Sequence, residues 1–470
     1  MSKAYDRVEW SFLETVLSKL GFCGKWLRWV MNCVRTVRYS FLVNSEPSRD
    51  ITPTRCLRQG DAISPYLFLV CAEVLSRMIN EAETNDRIHG IRVCTGAPVV
   101  NHLFFADDSF IFSKAEVEDV LSMKHIFVAY ERMSGQQINY DKSCISFSKN
   151  VPVWKQDDLA AMLGVKRVLK HDKYLGLPTE LSYSKDEAFR FLVDRVRKQT
   201  QGWRDKTLSG AGKEVLIKSI IQSISTYVMS CFKLPGHLCK EMHQLMAKFG
   251  WGEFGDERKI RWISWDRLCS TKKEGGLGFR DMNVFNRALL AKQGWRMICR
   301  PQSLLAQVVK YFPSTCFMQA EIRKNMSYSW RSMLKGQQLL TKGLRYQVGN
   351  GEMISIWNDP WVPLPYNFKP FSDPMQGSED MRVCDLIDGD IGEWNVEVIE
   401  DLFNPMEIDL ILKIPLSLYG GEDRMVWHFD KKGCYTVKSG YYVGRLVEGL
   451  EKQASGSDSG VKRGRLWCKL

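Results

Sequence analysis

The chain has no C-x-x-C pair among its 14 cysteines, no apolar run of membrane-spanning length, no secretory signal and no internal repeat. Each absence removes a class of protein. Scattered single cysteines argue against a disulfide framework or a zinc site and for buried thiols in a reducing compartment, so an intracellular address is expected. The best apolar run, Tyr66 to Leu75, falls short of the roughly 18 residues needed to span a bilayer, and no membrane partner is expected. What is present is 470 residues, 44% of them apolar, which is enough for real cores and two to four domains.

The net charge of +12 is unevenly spread. Residues 1–180 carry 23 Lys and Arg against 21 Asp and Glu, residues 181–300 carry 23 against 12, and residues 301–470 carry 20 against 21. The basic middle segment is laced with Trp203, Tyr227, Phe232, Trp251, Trp262, Trp265 and Trp295. Most of these rings read as core, while the charge excess suits contact with a phosphate backbone through Lys198, Arg204, Lys206 and Lys213. Helical spacing is clear over Lys185 to Trp203, with Phe189, Leu192, Val193 and Val196 on one face, and again over Lys213 to Phe232. Beyond about residue 300 the runs are shorter and punctuated by Gly and Pro, with a small acidic helix near Glu397 to Leu412 and a linker-like tail at 455–460.

The most informative segment is Phe104-Phe105-Ala106-Asp107-Asp108. Two alternating apolar runs, Val99 to Phe105 and Ser109 to Ser113, read as a β-hairpin with both carboxylates at or beside its turn. Asp is common at turns on backbone grounds alone. Converging carboxylates are also what phosphoryl transfer by paired metal ions requires. Upstream, Leu57-Arg58-Gln59-Gly60-Asp61-Ala62-Ile63-Ser64-Pro65 joins a glycine that permits close ligand approach to a helix start, with Ser64 as N-cap and Pro65 at the first position. That helix runs to about Glu83 and buries Leu67, Phe68, Cys71, Leu75, Met78 and Ile79.

The double-Asp hairpin resembles the palm hairpin of reverse transcriptases, and the neighbouring motifs follow that family's order. Arg58-Gln59-Gly60 resembles the loop that contacts template and incoming nucleotide. Ser134 to Ser143 resembles the next motif, whose lysine, here Lys142, is thought to protonate departing pyrophosphate, and His171 to Pro178 resembles the primer grip through Tyr174, Leu175 and Gly176. Met1 to Trp10 is similar to the opening palm motif of plant LINE-type, or non-LTR, retrotransposon polymerases. The similarity continues through Trp203 with Leu208 to Lys213, Gly275 to Asp281, Gly349 to Gly351 with Trp357 to Trp361, and Tyr435 to Tyr441.

The resemblance implies an α+β fold: a polymerase palm at 1–180, a basic helical thumb-like region at 181–300, a lineage-specific C-terminal region at 301–454, and a linker leading into a truncated zinc-binding segment at 455–470. It implies an RNA-directed DNA polymerase that takes an RNA template, a DNA primer and dNTPs with Mg²⁺ or Mn²⁺, at nuclear and cytoplasmic sites. Asp107 and Asp108 are the implied catalytic metal ligands, Lys142 the acid, Tyr5 the residue excluding ribonucleotides, and Arg58, Gln59, Gly60 and Ala106 the nucleotide and template side. An alternative reading of Tyr5 packs it on Trp10, with Asp6 and Glu9 as a capping box. The family's first catalytic Asp falls immediately before Met1 and the fingers precede it, so the chain reads as truncated at both ends and is expected not to polymerise. Asp6 is too far along an extended strand to replace that Asp. No zinc is expected, because His428, Cys434 and Cys468 lack the usual number and spacing. A catalytically dead nucleic-acid-binding remnant and an intron-maturase relative remain as alternatives.

Overall fold

The computed structural model describes residues 1–455 except 2, 172, 180, 182–183, 204–207, 254–258, 311–316, 324–325, 365–366, 390 and 417–420. Arg204, Lys206, Asp172 and the tail with Cys468 lie outside the described residues. The chain forms two compact units, Met1–Glu180 and Leu181–Leu470.

The first unit mixes helices with short strand pairs. It runs α1 (Trp10–Lys19), α2 (Gly24–Arg35), β1 (Leu42–Val43), β2 (Glu46–Pro47), α3 (Ser64–Thr84), β3 (Ile91–Arg92), β4 (Val99–Val100), β5 (His102–Phe105) and β6 (Asp108–Ile111). It continues through α4 (Val117–Ser134), β7 (Cys144–Ile145), α5 (Val153–Leu163), β8 (Lys166–Arg167), β9 (Lys173–Tyr174) and β10 (Leu177–Pro178). The strands pair two by two, antiparallel except for β7 with β8.

Helix α3 organises this unit because its apolar stripe is long enough to serve two clusters. Leu67, Phe68 and Cys71 pack with Leu13, Leu17, Met31 and Val34 of α1 and α2. Leu75 and Ile79 pack with Met123, Ile126 and Tyr130 of α4, and Met78 sits partly buried at that cluster's edge. Phe104 and Ile111 of the β5–β6 hairpin rest on the second cluster, which fixes the hairpin to the helical layer.

Three local expectations change. Ser64 is the first helical residue and Ile63 holds the N-cap position, because Asp61 accepts the Ile63 amide on its carboxylate at 3.4 Å and the Ser64 amide on its carbonyl at 3.3 Å. The run Val99 to Phe105 is interrupted at Asn101, whose buried side chain donates to Asn80 at 2.9 Å and Glu83 at 2.7 Å. Val99–Val100 therefore pairs with Ile91–Arg92, and only His102–Phe105 pairs with Asp108–Ile111. Asp6 caps nothing: the N-cap of α1 is Glu9, without a side-chain cap, and the Asp6 amide closes a turn onto Lys3 O at 3.0 Å. An extended path through Asp6 is thus absent. The competing demands are tertiary, since Tyr5 O and Val8 O accept the amides of Leu57 and Cys56, and the Glu9 amide donates to Ser134 O.

The second unit is mainly helical. It contains α6 (Lys185–Gly202), α7 (Gly210–Leu216), α8 (Gln222–Ile224), α9 (Thr226–Cys231), α10 (Gly236–Trp251), α11 (Trp265–Leu268), α12 (Met282–Cys299), α13 (Leu304–Lys310) and α14 (Tyr328–Leu340). After β11 (Leu344–Gln347) come α15 (Val396–Leu402), α16 (Pro405–Ile411), β12 (Arg424–Trp427) and α17 (Val437–Ser455). In α6, Ser184 caps the first turn and Phe189, Leu192, Val193 and Val196 are buried, as their spacing predicts. The helix expected over Lys213 to Phe232 is broken into pieces by a π-turn at Ile217–Ile221, which carries Ile217, Ile221 and Gln222 inward together. The acidic stretch near Glu397 splits at Asn404, which caps α16 ahead of Pro405. Helix α12 is the spine. Its fully buried Asn286 accepts the Leu234 amide at 2.8 Å and donates to Met229 O and Phe232 O.

The motifs at Gly349 and Tyr435 acquire structural explanations. Asp423 accepts the amides of Gly349, Gly351 and Met353 at 2.8–2.9 Å, pinning that loop beside the β11–β12 ladder. Buried Tyr435 donates to Ala288 O at 2.8 Å and packs in one cluster with Trp295, Leu340 and Trp427.

His428 follows β12, and its Nδ1 accepts from Arg345 Nε at 3.3 Å. Burial, aided by the Arg345 charge, pushes its pKa down from 6.5 to about 4. Between those values the unfolded chain binds a proton that the folded chain refuses, so this contribution to stability is present above pH 6.5 and is lost as pH falls toward about 4. His428→Gln is expected to flatten the fall of the urea-unfolding midpoint across that interval. An unchanged pH profile would contradict the assignment.

Candidate active site

The hairpin register pairs Phe105 with Asp108, leaving Ala106 and Asp107 as a two-residue turn. Ala106 adopts φ +50°, as the tight turn requires. Strand alternation then separates the two faces. Phe104 and Ile111 go to the core, while Asp108 shares the open face with Leu103, Phe105 and Phe110. Both carboxylates are exposed, and Phe105 is 62% exposed.

Segments distant in sequence converge beside this turn. A cleft of about 550 Å³ is lined by Lys3, Ala4, Tyr5, Gln59, Gly60, Asp61, Ser64, Pro65 and Asp107. The Tyr5 ring stacks on Phe68, not on Trp10, with centroids 4.8 Å apart and planes within 10°. Trp10 is engaged elsewhere, its indole N–H donating to Cys56 O at 2.8 Å. The Met1 ammonium donates to the Asp107 carbonyl at 2.9 Å, so the start of the chain abuts the double-Asp turn.

The open face of the hairpin extends to the expected primer grip. Phe110 meets Tyr174 edge-on at 4.9 Å and His171 at 5.1 Å. Leu175 and Gly176 form the turn between β9 and β10, both with positive φ. Lys142 stands apart from the cleft lining, exposed on a turn where its amide donates to Asn139 Oδ1 at 3.1 Å. Arg58 is exposed and lines a neighbouring, much smaller cavity with Cys33 and Tyr39, which shares Asp61 and Ser64 with the cleft. Lys3 and Asp61 were not selected from the sequence. Their only signal was that they lie within the motifs at Met1 to Trp10 and Leu57 to Pro65.

The model for reverse transcriptase (RNA-dependent DNA polymerase) matches residues 1–192. An uncharacterized mitochondrial protein of Arabidopsis thaliana is 41% identical over 150 residues, 30% of this chain and 97% of that protein. The chain belongs to the reverse transcriptase family. A second uncharacterized mitochondrial protein of the same plant is 37% identical over 116 residues, 24% of this chain and 91% of that protein. A candidate ribonuclease H protein of Arabidopsis thaliana is 30% identical over 269 residues, 54% of this chain but 42% of its own length. With these relatives, the chain is a plant retroelement reverse transcriptase of α+β class, consistent with a palm followed by a helical region.

Members of this family work with divalent metal ions and nucleic acid. Among the described residues of this reverse transcriptase, no group of three or more His, Cys, Asp and Glu side chains is placed to hold a metal. Asp107 and Asp108 are hard oxygen donors, and their number fits one Mg²⁺ completed by water and substrate phosphates, the usual way that ion is held. Among the described residues, no helix is long and apolar enough to cross a membrane.

In the second unit, Lys198 is exposed on α6 and Lys213 is half-buried on α7. Part of the basic excess is internally paired, since Arg190 and Arg197 share Glu241 at 2.6 and 3.0 Å. The aromatics divide. Trp203, Phe232 and Trp295 are buried, whereas Trp262 is 77% exposed and Tyr227 is 48% exposed.

Gly60 has φ +88° and open space where a Cβ would point. Backbone conformation, not crowding, is what selects glycine there. Gly60→Val is expected to destabilise the first unit by more than about 1 kcal/mol and to weaken dNTP binding, read as a lower thermal midpoint and a smaller shift on adding dNTP with Mg²⁺. A variant melting like the parent would refute the strain.

Proposed function

We propose that this chain carries the palm and thumb of the RNA-directed DNA polymerase of a LINE-type, non-LTR retroelement, extending a DNA primer along an RNA template. The observation that supports this best is the cleft that gathers Tyr5, Gln59, Gly60 and Asp107 from three separate segments. In the reaction the primer 3′ oxygen forms a bond to the α-phosphorus of a dNTP, the bond to pyrophosphate breaks, and the 3′ proton passes to solvent. Metal held at Asp107 and Asp108 would stabilise the charge on the attacking and leaving oxygens. Tyr5, held flat on Phe68, would meet a ribose 2′-hydroxyl and exclude ribonucleotides. Gln59 and Gly60 would line the nucleotide and template side with Arg58 and Ala106 nearby, and Tyr174, Leu175 and Gly176 would seat the primer against the open face of the hairpin.

The family resemblance gives the proton donor to pyrophosphate as Lys142. Lys3 is the lysine inside the cleft and competes for that role. Comparing Lys3→Gln with Lys142→Gln in a polypeptide extended upstream to supply the further Asp decides between them, since loss of the donor lowers kcat with little change in dNTP KM.

A polypeptide of residues 1–470 brings two carboxylates to the turn, and a residue joined to Met1 would sit beside them, given the 2.9 Å contact of the Met1 ammonium with Asp107 O. We infer that this polypeptide incorporates dNTPs on primed poly-rA only when an upstream segment supplies a further Asp at that place. Incorporation should be undetectable without the extension, appear with it in Mg²⁺ or Mn²⁺, and vanish again on Asp107→Asn. Robust incorporation by residues 1–470 alone, lost on Asp107→Asn, would mean that another residue completes the site. Hybrid binding without incorporation in either form would favour a binding remnant.

For the thumb, neutralising Lys198, Arg204, Lys206 and Lys213 together should weaken binding to an RNA–DNA hybrid. The log–log salt slope should fall by up to about 0.9 for each phosphate that is no longer neutralised. Unchanged affinity and slope would make the basic excess an ordinary solvated surface.

A further inference from the structure

Between Glu14 and Glu46 the chain has no acidic residue and five basic ones, Lys19, Lys25, Arg28, Arg35 and Arg38. Arg35 is paired with Glu14 at 2.5 Å, and Arg38 lies 3.9 Å from Asp50. Lys19, Lys25 and Arg28 have no acidic partner among the described residues. Helix α2 lies within this stretch and buries Val30, Met31 and Val34 against the core. Its other surface presents two tryptophans that the core does not use, Trp26 at 37% and Trp29 at 58% exposure.

These rings are ordered by their neighbours. Phe22 stacks on Trp26 at 4.3 Å, and Lys25 Nζ stands 5.1 Å from the Trp29 ring centroid. Positions three apart on a helix are surface neighbours, with Cβ atoms about 5–6 Å apart. Two flat aromatic faces beside uncompensated cations match a polyanion that carries flat, apolar faces of its own. A single nucleic-acid strand has that chemistry, because its bases are free to leave their stack, whereas a duplex hides them. None of these residues lines the nucleotide cleft.

We propose that the outer surface of α2 is a stacking platform for single-stranded nucleic acid, with Trp26 and Trp29 each taking a base and Lys25 and Arg28 holding the flanking phosphates. The choice of nucleic acid over other polyanions rests on the polymerase reading. The location and the stacking chemistry do not.

The test is fluorescence polarisation of the full 470-residue chain with labelled oligo-dT, oligo-rU and an RNA–DNA hybrid, with heparin as a polyanion control. Trp26→Ala and Trp29→Ala should each weaken single-strand binding at least about fivefold and leave hybrid binding unchanged. Lys25→Gln with Arg28→Gln should lower the single-strand salt slope by about 0.7 per phosphate released. Trp154→Ala, at a tryptophan 68% exposed on α5, should change nothing. Unaltered single-strand binding by the double tryptophan variant, with an unchanged thermal midpoint, overturns the proposal. Equal weakening for hybrid and single strand also overturns it, as does a tryptophan-dependent self-association in sedimentation with oligonucleotide binding intact. Single-strand binding that needs the tryptophans in a chain that does not bind the hybrid would sink the polymerase reading and leave the platform standing.

Discussion

The first unit depends on how Gln136 ties the N-terminal segment to the helical layer. Its Nε2 donates to Ala4 O at 2.7 Å, and its Oε1 accepts from the buried Tyr130 hydroxyl. Burial raises the Tyr130 pKa, so the phenol stays a donor at any physiological pH. Around this node Glu9 N bonds to Ser134 O, while Tyr5 O and Val8 O accept from Leu57 and Cys56. Residues 4–9 are thereby clamped between two loops. That clamp delivers Lys3 and Tyr5 to the cleft and Met1 to the Asp107 turn. The motif containing Gln136 thus supports the site from behind, holding the lining residue Ala4 without itself lining the cleft.

The second unit uses the same device with different residues. Buried or half-buried polar side chains bind several groups at once and so hold loops that have no regular structure. Asn286 secures the turn after α9. Asp423 secures the loop at Gly349, and fully buried Glu407 accepts from Ser372 Oγ and Asn404 Nδ2, each at 2.5 Å. Leaving any of these groups unmade inside the protein would be costly, which makes each a strong constraint on the surrounding chain. Several lineage landmarks gain a structural meaning here and need no catalytic one.

Surface chemistry completes the description. The two carboxylates at the hairpin tip, the lysine of the cleft and the cationic tryptophan surface of α2 all belong to the first unit, whose overall charge is nearly balanced. On the proposals above, net charge would understate how this unit meets a polyanion. Local placement of a few unpaired cations matters more than their sum, because exposed charges beyond about 10 Å are screened in ordinary salt.

The sequence by itself determined the α3 stripe, the double-Asp hairpin, the family and the basic bias of residues 181–300, because each is written in local periodicity, turn chemistry or composition. Helix α6 begins after Ser184 and buries Phe189, Leu192, Val193 and Val196 for that reason. Tertiary structure alone decided what depends on partners far along the chain. Asp6 lost its capping role because backbone groups of residues 5–9 were claimed by Cys56, Leu57 and Ser134, and Asn101 broke a continuous strand because Asn80 and Glu83 claimed its side chain. Lys3 joined the cleft and Lys142 stayed outside its lining for the same kind of reason. Spacing along a strand or helix reports which residues share a face, but which distant segment meets that face is fixed only when the hydrogen bonds and packing of the whole unit are satisfied together.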